Sequence, residues 1–526
     1  MGHLPDPRPR RPINSHSPDS RELLRVPPAW STGRDLPPAQ PAGRTPGLRA
    51  VLPAIIVALG IAGCAVGPDY RPPDSGAPAT WTGVAAGARP AVTTETPSGL
   101  ATWWTSLDDP LLTELVQTAL DANPDVAAAQ ARLRQVRAQR VIAASGLYPS
   151  LSAGADGRRA NASVETSGND VTAAAYGAGL DASWEIDVFG GTRRGVEAAT
   201  ADVEATAAQL AATQVSLAAE VANNYVDVRL QQGLLRIARS NAESQAETLQ
   251  LTEWRAQAGL ASIQDVEQAR TNLERTRAQV PSLETSLAAA EHRLDSLLAL
   301  PPGSLHARLA APAPKLAVPA QLAVGIPADT LRQRPDVRAA ERNLAAETAR
   351  VGQAEAALYP SFTLSGSLGV EALTLGNLGS GDAGVWSIFG GITAPLFQGG
   401  ALRAQVAAQD AVRDQALAEY RKTVLTALEE VENALVALAN NQVRDASLVT
   451  AVESARTADM LARERYTAGL IDFQSVLDTD RTVLTVEEAL AQNRADGMLS
   501  LVRLYRSLGG GWSPEPGQDT GSGLQP

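Results

Sequence analysis

Residues 123–151 and 334–362 hold related text 211 positions apart: NPDVAAAQARLRQVRAQRVIAASGLYPSL and RPDVRAAERNLAAETARVGQAEAALYPSF agree at 12 of 29 positions. Each copy runs on to an aromatic-glycine stop, Asp187-Val188-Phe189-Gly190-Gly191 in the first and Pro395-Leu396-Phe397-Gln398-Gly399-Gly400 in the second. Later come two turns 210 residues apart, Ala258-Gly259-Leu260 and Ala468-Gly469-Leu470. One structural unit is used twice, so function must come from what the two copies build together.

Length alone would suggest about three domains in 526 residues, but the repeat overrides that prior. Ala-rich text with 44% hydrophobic and only 4% aromatic residues suits long, closely packed helices better than a thick globular core. Outside the N-terminal region no run of 18 apolar residues occurs, so membrane insertion beyond the leader would have to use strands. The first 63 residues hold eight Arg and four Asp or Glu, net +4, which leaves −16 of the chain's −12 total for the remainder. A body that acidic argues against nucleic acid as a partner.

Residues 1–48, rich in Pro and Arg without apolar periodicity, read as a disordered stretch or an upstream misassigned start. Arg44 and Arg49 then precede an apolar segment, Ala50 to Ala62, with the length and flank of a signal peptide's h-region. It leads to the only cysteine, in Leu59-Gly60-Ile61-Ala62-Gly63-Cys64, which resembles a bacterial lipobox. That motif implies diacylglyceryl and N-acyl chains on Cys64, a stable anchor at roughly 0.8 kcal/mol per buried CH₂. The alternative is an incidental thiol; a lone cysteine forms no internal disulfide. Ala65 follows instead of the Asp that holds such lipoproteins at the inner membrane, which favours the outer membrane.

Within each copy the periodicity switches in a fixed order. Residues 124–145 and 336–357 read as helices opened by Pro-Asp. Past each Tyr-Pro-Ser, alternation of period two begins: Leu151, Ala153, Ala155 in one copy and Phe362, Leu364, Gly366, Leu368, Val370 in the other. After a polar loop a second alternating run follows, Tyr176 through Ala178, Leu180, Ala182 and Trp184 to Ile186, or Trp386 through Ile388, Gly390 and Ile392 to Ala394. Each copy thus predicts one β-hairpin with an apolar face, the pattern of lipid-facing strands. Four strands cannot close a membrane barrel, because open edges in lipid leave unpaired backbone groups. Two chains would supply eight strands with a filled interior, and three would supply twelve with a wider lumen. A soluble hairpin packed on helices is the plainer alternative.

From Gly195 to Gln257 there is no Pro, and Val221, Val228, Leu235, Ala242 and Leu249 keep a seven-residue spacing. From Leu402 to Thr467 the spacing alternates four and three at Val424, Leu428, Val431, Leu435 and Leu438. These are coiled-coil seams on helices some 90 Å long at about 1.5 Å per residue. The turns at Gly259 and Gly469 then reverse the chain into Ile263–Leu300 and Phe473–Ser507, two helical hairpins whose length suits spanning a compartment.

The lipobox with Cys64, the segments Gly67-Pro68-Asp69-Tyr70 and Trp103-Trp104, the run Trp184 to Gly190, Leu331-Arg332-Gln333-Arg334-Pro335-Asp336-Val337 and the ending Leu504 to Trp512 together resemble the outer-membrane efflux lipoproteins, the TolC/OprM-like family in its NodT branch. The resemblance covers about residues 59–512. It implies a mainly α fold with membrane β: a homotrimer whose chains each give four strands to a twelve-stranded outer-membrane barrel, continuous with an α-helical barrel across the periplasm. It also implies partners, a periplasmic adaptor and an inner-membrane pump of the RND type, with the outer-membrane lipid around the barrel. On this reading, residues 1–63 are leader and signal peptide and 64–107 a lipid-anchored, extended and equatorial segment. Residues 108–300 are the first repeat (hairpin about 147–189), 301–330 an equatorial linker, 331–508 the second repeat (hairpin about 358–397) and 509–526 a flexible tail.

The family closes its periplasmic end around a ring of aspartates after a Tyr-x-x-Gly turn. The matching residues are Tyr466, Gly469 and Asp478; where relatives carry a second Asp two residues after the Gly, this chain has Ile471 with Asp472 beside it. Three symmetry-related carboxylates at a narrow aperture repel one another and attract cations, so a closed state needs compensating hydrogen bonds. A solvated helix charge is the plainer reading of Asp478. Asp265 in the first copy reads as structural.

Catalysis is not expected. His3 and His16 lie in the leader, His292 and His306 stand apart, and neither a metal-ligand cluster nor a nucleotide loop is present. Beyond the lipid, no cofactor is implied. A periplasmic adaptor or a structural coiled-coil lipoprotein would share the anchor and the long helices, but neither calls for two strand hairpins set between them.

Overall fold

The computed structural model describes residues 65–82, 91–93, 99–162, 171–311, 318–319 and 321–513. The leader, Cys64 and the tail from residue 514 lie outside the described residues. In chain order the elements are β1 (Ala91–Thr93), a 3-10 segment (Leu100–Leu107), α1 (Pro110–Ala122), α2 (Pro124–Ser145), β2 (Ser150–Ala162), β3 (Val171–Ile186), α3 (Gly191–Gln257), α4 (Ile263–Leu297) and α5 (His306–Leu309), followed by β4 (Gln321–Ala323), α6 (Pro327–Gln333), α7 (Pro335–Ala356), β5 (Ser361–Ala372), β6 (Gly384–Thr393), α8 (Ala401–Thr467) and α9 (Phe473–Ser507).

The two halves match element for element. Helices α2 and α7 both have 22 residues, α3 and α8 both 67, and α4 and α9 both 35. At 1.5 Å per residue, α3 and α8 are each about 100 Å long. Pro at the first position starts α2 and α7, and the preceding residue does matching work in each half. Asn123 caps α2 through Asp125 N (2.8 Å) while its Nδ2 donates to Leu297 O at the end of α4 (2.9 Å). Arg334 grips Asp336 with two nitrogens and donates Nη1 to Ser507 O at the end of α9 (3.0 Å). Pro281 lies inside α4, on an exposed face, without ending the helix.

The seam residues Val221, Val228 and Leu235 on α3 and Val424, Val431, Leu435 and Leu438 on α8 are buried. The largest core gathers halfway along the long helices. There Trp103, Leu112, Leu115, Tyr225, Leu294, Leu305, Leu309, Leu438, Leu501 and Leu504 meet. Trp103 stacks on Tyr505 with centroids 5.2 Å apart, and the parallel pair β1–β4 joins Ala91–Thr93 to Gln321–Ala323. Residues 509–512, expected to open a flexible tail, instead finish this core. Gly511 N donates to Leu100 O (3.0 Å) and Trp512 Nε1 to Gln333 O (3.1 Å). A Gly-Gly-Gly run reads as a linker, yet here it lets the backbone lie flat against the 3-10 segment.

The remaining strands form one antiparallel sheet, ordered β2-β3-β5-β6, so the hairpin of one repeat pairs with that of the other. The register sets the alternating apolar residues on a common face: Ala153, Leu180, Leu368 and Trp386 in one row, Leu151, Ala182, Gly366 and Ile388 in the next, and Ile186, Phe362 and Ile392 near the end. The opposite face carries Ser152, Asp181, Ser367 and Ser387, with Asp156 and Glu371 in a further row. Among the described residues, both outer strands, β2 and β6, keep an unpaired edge within the chain. Among the described residues, no helix is long and apolar enough to cross a membrane.

Candidate aperture at the helix turns

At the far ends of the long helices the two turns are built alike. Gly259 (φ 73°) and Gly469 (φ 74°) take the left-handed conformation that other residues adopt at a cost of roughly 1–2 kcal/mol. Leu260 N then donates to Arg255 O (2.7 Å) and Leu470 N to Arg465 O (2.8 Å), closing both helices with the same motif. Leu260 and Leu470 are left exposed at the tips.

The caps that follow exchange roles. In the first turn Ser262 is the N-cap and Asp265 the third residue, with Asp265 N on Ser262 Oγ (3.1 Å) and Ser262 N on Asp265 Oδ2 (2.9 Å). In the second, Asp472 is the N-cap and Ser475 the third residue, and Asp472 Oδ1 accepts from Ser475 N (3.0 Å) and Oγ (2.7 Å). Those bonds hold the Asp472 carboxyl below its ordinary range. Asp472 thus has a local structural task, and its exposure leaves it free for a second one.

Tyr466 is buried, its ring 5.4 Å from that of Phe473 and with the Arg255 guanidinium 4.6 Å above it. Arg255 comes from the other hairpin and also donates Nη1 to Thr467 O (2.9 Å). Asp478 is exposed; Gln474 Nε2 donates to it (2.8 Å), and Arg481 Nη1 stands 3.9 Å away.

The centre of the tip is Asp480, two residues further on. It is buried and accepts from Gln245 Nε2 on α3 (2.9 Å), Asn272 Nδ2 on α4 (2.9 Å) and Arg463 Nη2 on α8 (3.0 Å). One carboxylate on α9 therefore ties together all four long helices. Burial pushes its pKa up, with Arg463 and the two amides pulling the other way and Asp459 adding to the rise. Arg463 is shared, bonding also to Asp459 Oδ2 (2.7 Å) and Thr248 Oγ1 (2.7 Å).

Asp480 and Arg463 were not among the expected residues, yet the repeat holds a signal for them. Shifted back by 210 they become Arg270 and Glu253, a pair of inverted sign that also meets, at 3.1 Å, on the outside of the first hairpin. Away from the tip, His306 does not stand alone: its Nδ1 lies 2.8 Å from the buried Glu291, which raises the imidazole's pKa. No group of three or more His, Cys, Asp or Glu among the described residues is placed to hold a metal.

The sequence pattern of the outer membrane efflux protein family matches residues 115–300 and again 326–510. Nodulation protein T of Rhizobium leguminosarum bv. trifolii is 31% identical over 457 residues, 86% of this chain and 96% of that protein. The toluene efflux pump outer membrane protein TtgC of Pseudomonas putida is 31% identical over 474 residues, 89% and 97% of the two chains. Among solved structures, the outer-membrane channel OprN superposes with a TM-score of 0.82 at 40% identity, covering 86% of this chain and all of that one. The Campylobacter jejuni CmeC outer membrane channel gives a TM-score of 0.79 at 25% identity, over 85% and 95%. With the family's pattern in both halves and the family's fold along their length, the chain belongs to the outer membrane efflux proteins.

Proposed function

We propose that three copies of this chain close a twelve-stranded barrel in the outer membrane and continue it as a helical duct through the periplasm. The trimer completes a tripartite exporter with a periplasmic adaptor and an inner-membrane pump of the RND type, and the duct conducts passively what the pump delivers. The observation that carries this reading is the sheet. Leu368, Trp386, Ile388 and Ile392 share one apolar face, with Trp386 and Ile388 about three-quarters exposed, and among the described residues both edges of the sheet are unpaired in the single chain. In lipid such edges are untenable unless other copies pair with them.

Cys64 carries the diacylglyceryl and N-acyl chains and anchors the chain in the periplasmic leaflet. At the other end, Asp478 and Asp472, exposed on the second turn, face the narrow aperture with their counterparts, and Tyr466 packs behind them. The mass of the detergent-extracted particle, measured by light scattering corrected for detergent, tests the core of the reading. Three chains support the duct, and a stable monomer overturns it in favour of an adaptor or tether. In planar bilayers Asp478→Ala raises the leak of the closed duct.

A further inference from the structure

The chain after residue 64 is fastened to the barrel's foot. Val66 N donates to Phe189 O (3.1 Å), three residues past the end of β3. Phe189 stacks on Tyr359, two residues before β5, with centroids 4.7 Å apart, so the feet of both hairpins converge at this point. Arg194, buried at the start of α3, donates Nε to Val66 O (3.1 Å) and Nη2 to Gly67 O (3.2 Å) and Asp69 Oδ1 (2.8 Å), while its Nη1 reaches Glu197 (2.8 Å).

The packing around this clamp leaves no slack. A Cβ on Gly67 would fall 2.3 Å from Gly352 Cα on α7, and one on Gly190 would fall 2.8 Å from Ala65 Cα. Further down, Tyr70 Oη donates to Glu341 (3.0 Å), and Trp81 Nε1 donates to Gly325 O (3.1 Å). Residues 65–82 therefore form a strap held at three levels, from the sheet's foot to the core halfway along the long helices.

We propose that Arg194 is a positioning residue for the mature N-terminus, seating it beside the foot of its own strands; the inference rests on the lipidation of Cys64 proposed above. One peptide bond joins Cys64 to Ala65, so with the strap docked the lipid-bearing residue has its Cα about 4 Å from Ala65 Cα. With only the far end held, the 18 residues from Ala65 to Thr82 would let it wander roughly 60 Å. The clamp thus turns a tether into a fixed anchor point, raising the local concentration of strand edges at the membrane where they must pair.

The test compares whole chains in an outer-membrane-bearing host. They are the wild type, Arg194→Ala, Gly67→Ala, Cys64→Ala exported by a cleavable signal, and Arg194→Ala combined with Cys64→Ala. Palmitate labelling reports the anchor, pulse-chase formation of SDS-resistant oligomer reports assembly, and protease sensitivity of residues 65–82 reports the strap. Gly67→Ala undocks the strap by a steric clash with α7 while leaving the Arg194 side chain in place. Arg194→Ala and Gly67→Ala are expected to keep the label, expose the strap and assemble at least about threefold more slowly. Cys64→Ala slows assembly as well, and adding Arg194→Ala to it is expected to slow assembly no further. An equal further slowing would make Arg194 merely structural and overturn the proposal, as would wild-type assembly by a variant with an exposed strap. A wild type without label would remove the lipidation reading itself, and the proposal with it.

Discussion

The two helix turns share one backbone design and differ by inversion of their side chains. The first carries Glu253 and Arg270, both about half exposed, where the second carries Arg463 and the buried Asp480. Where the first turn has a surface pair, the second has, with the charges exchanged, the polar centre that binds the hairpins together. The caps Ser262 and Asp472 are exchanged in the same sense. Matching backbone geometry with inverted side chains separates what the fold needs from what the tip does. The glycine turn and cap are general, and the buried carboxylate belongs to one hairpin only.

Replacing Asp480 is expected to have the largest effect. Asp480→Leu strands Arg463 and two amide donors, costing about 2–3 kcal/mol of tip stability, read as a loss of hydrogen-exchange protection in α3 near Gln245 and α8 near Arg463. Close behind comes Arg463→Glu with Asp480→Arg, which restores opposite charges but points the new guanidinium at two donors, Gln245 and Asn272; most of the loss remains. Full recovery of protection would mean that the two pairs are interchangeable and the comparison empty.

Gly259→Ala and Gly469→Ala each force a left-handed alanine and should cost the two hairpins alike, about 1 kcal/mol in exchange stability at each turn. Unequal losses would show that the turns differ in more than side chains. The pH dependence separates the two acids of the second turn. Burial raises the Asp480 carboxyl, so the folded tip holds more protons than the opened one, and this group's penalty is relieved as pH falls through its raised pKa. Asp472 has the opposite sign: its capping contribution is present above the ordinary aspartate range and lost as pH falls through its lowered pKa. Exchange protection followed against pH in Asp480→Asn and Asp472→Asn should show opposite slopes removed. Arg270→Ala is expected to matter least, below about 1 kcal/mol in the same readout, since the pair is solvated.

Much of the architecture is legible in the sequence because it rests on short-range pattern. Period-two alternation marks the apolar faces of β2, β3, β5 and β6, the seven-residue spacing marks the buried line along α3, and Ala-Gly-Leu marks the turns. The register between hairpins is harder to read. It joins Tyr176–Ile186 to Phe362–Ala372 across nearly two hundred residues and follows only once both apolar faces are required on one side. The centre of the tip is harder still. Asp480 finds Gln245 and Asn272 at separations of 235 and 208 residues, and in its own segment it is one of two aspartates flanking Thr479, with nothing local to say which is buried. Helix phase decides it: Asp480 lies toward the packed side with Val476, Leu477 and Val483, while Asp478 faces outward.

The seam between β3 and β5 bears on how such a chain arises. The sheet's central joint is made by strands of different repeats, eleven residues long and paired within one molecule. A protein with a single repeat would have to close the same twelve strands as a ring of six, finding six such joints between separate molecules. Fusing two repeats makes half of those joints intramolecular, leaving three encounters in the proposed trimer. It also gives the two turns separate sequences, so that alternate positions around the ring can specialise.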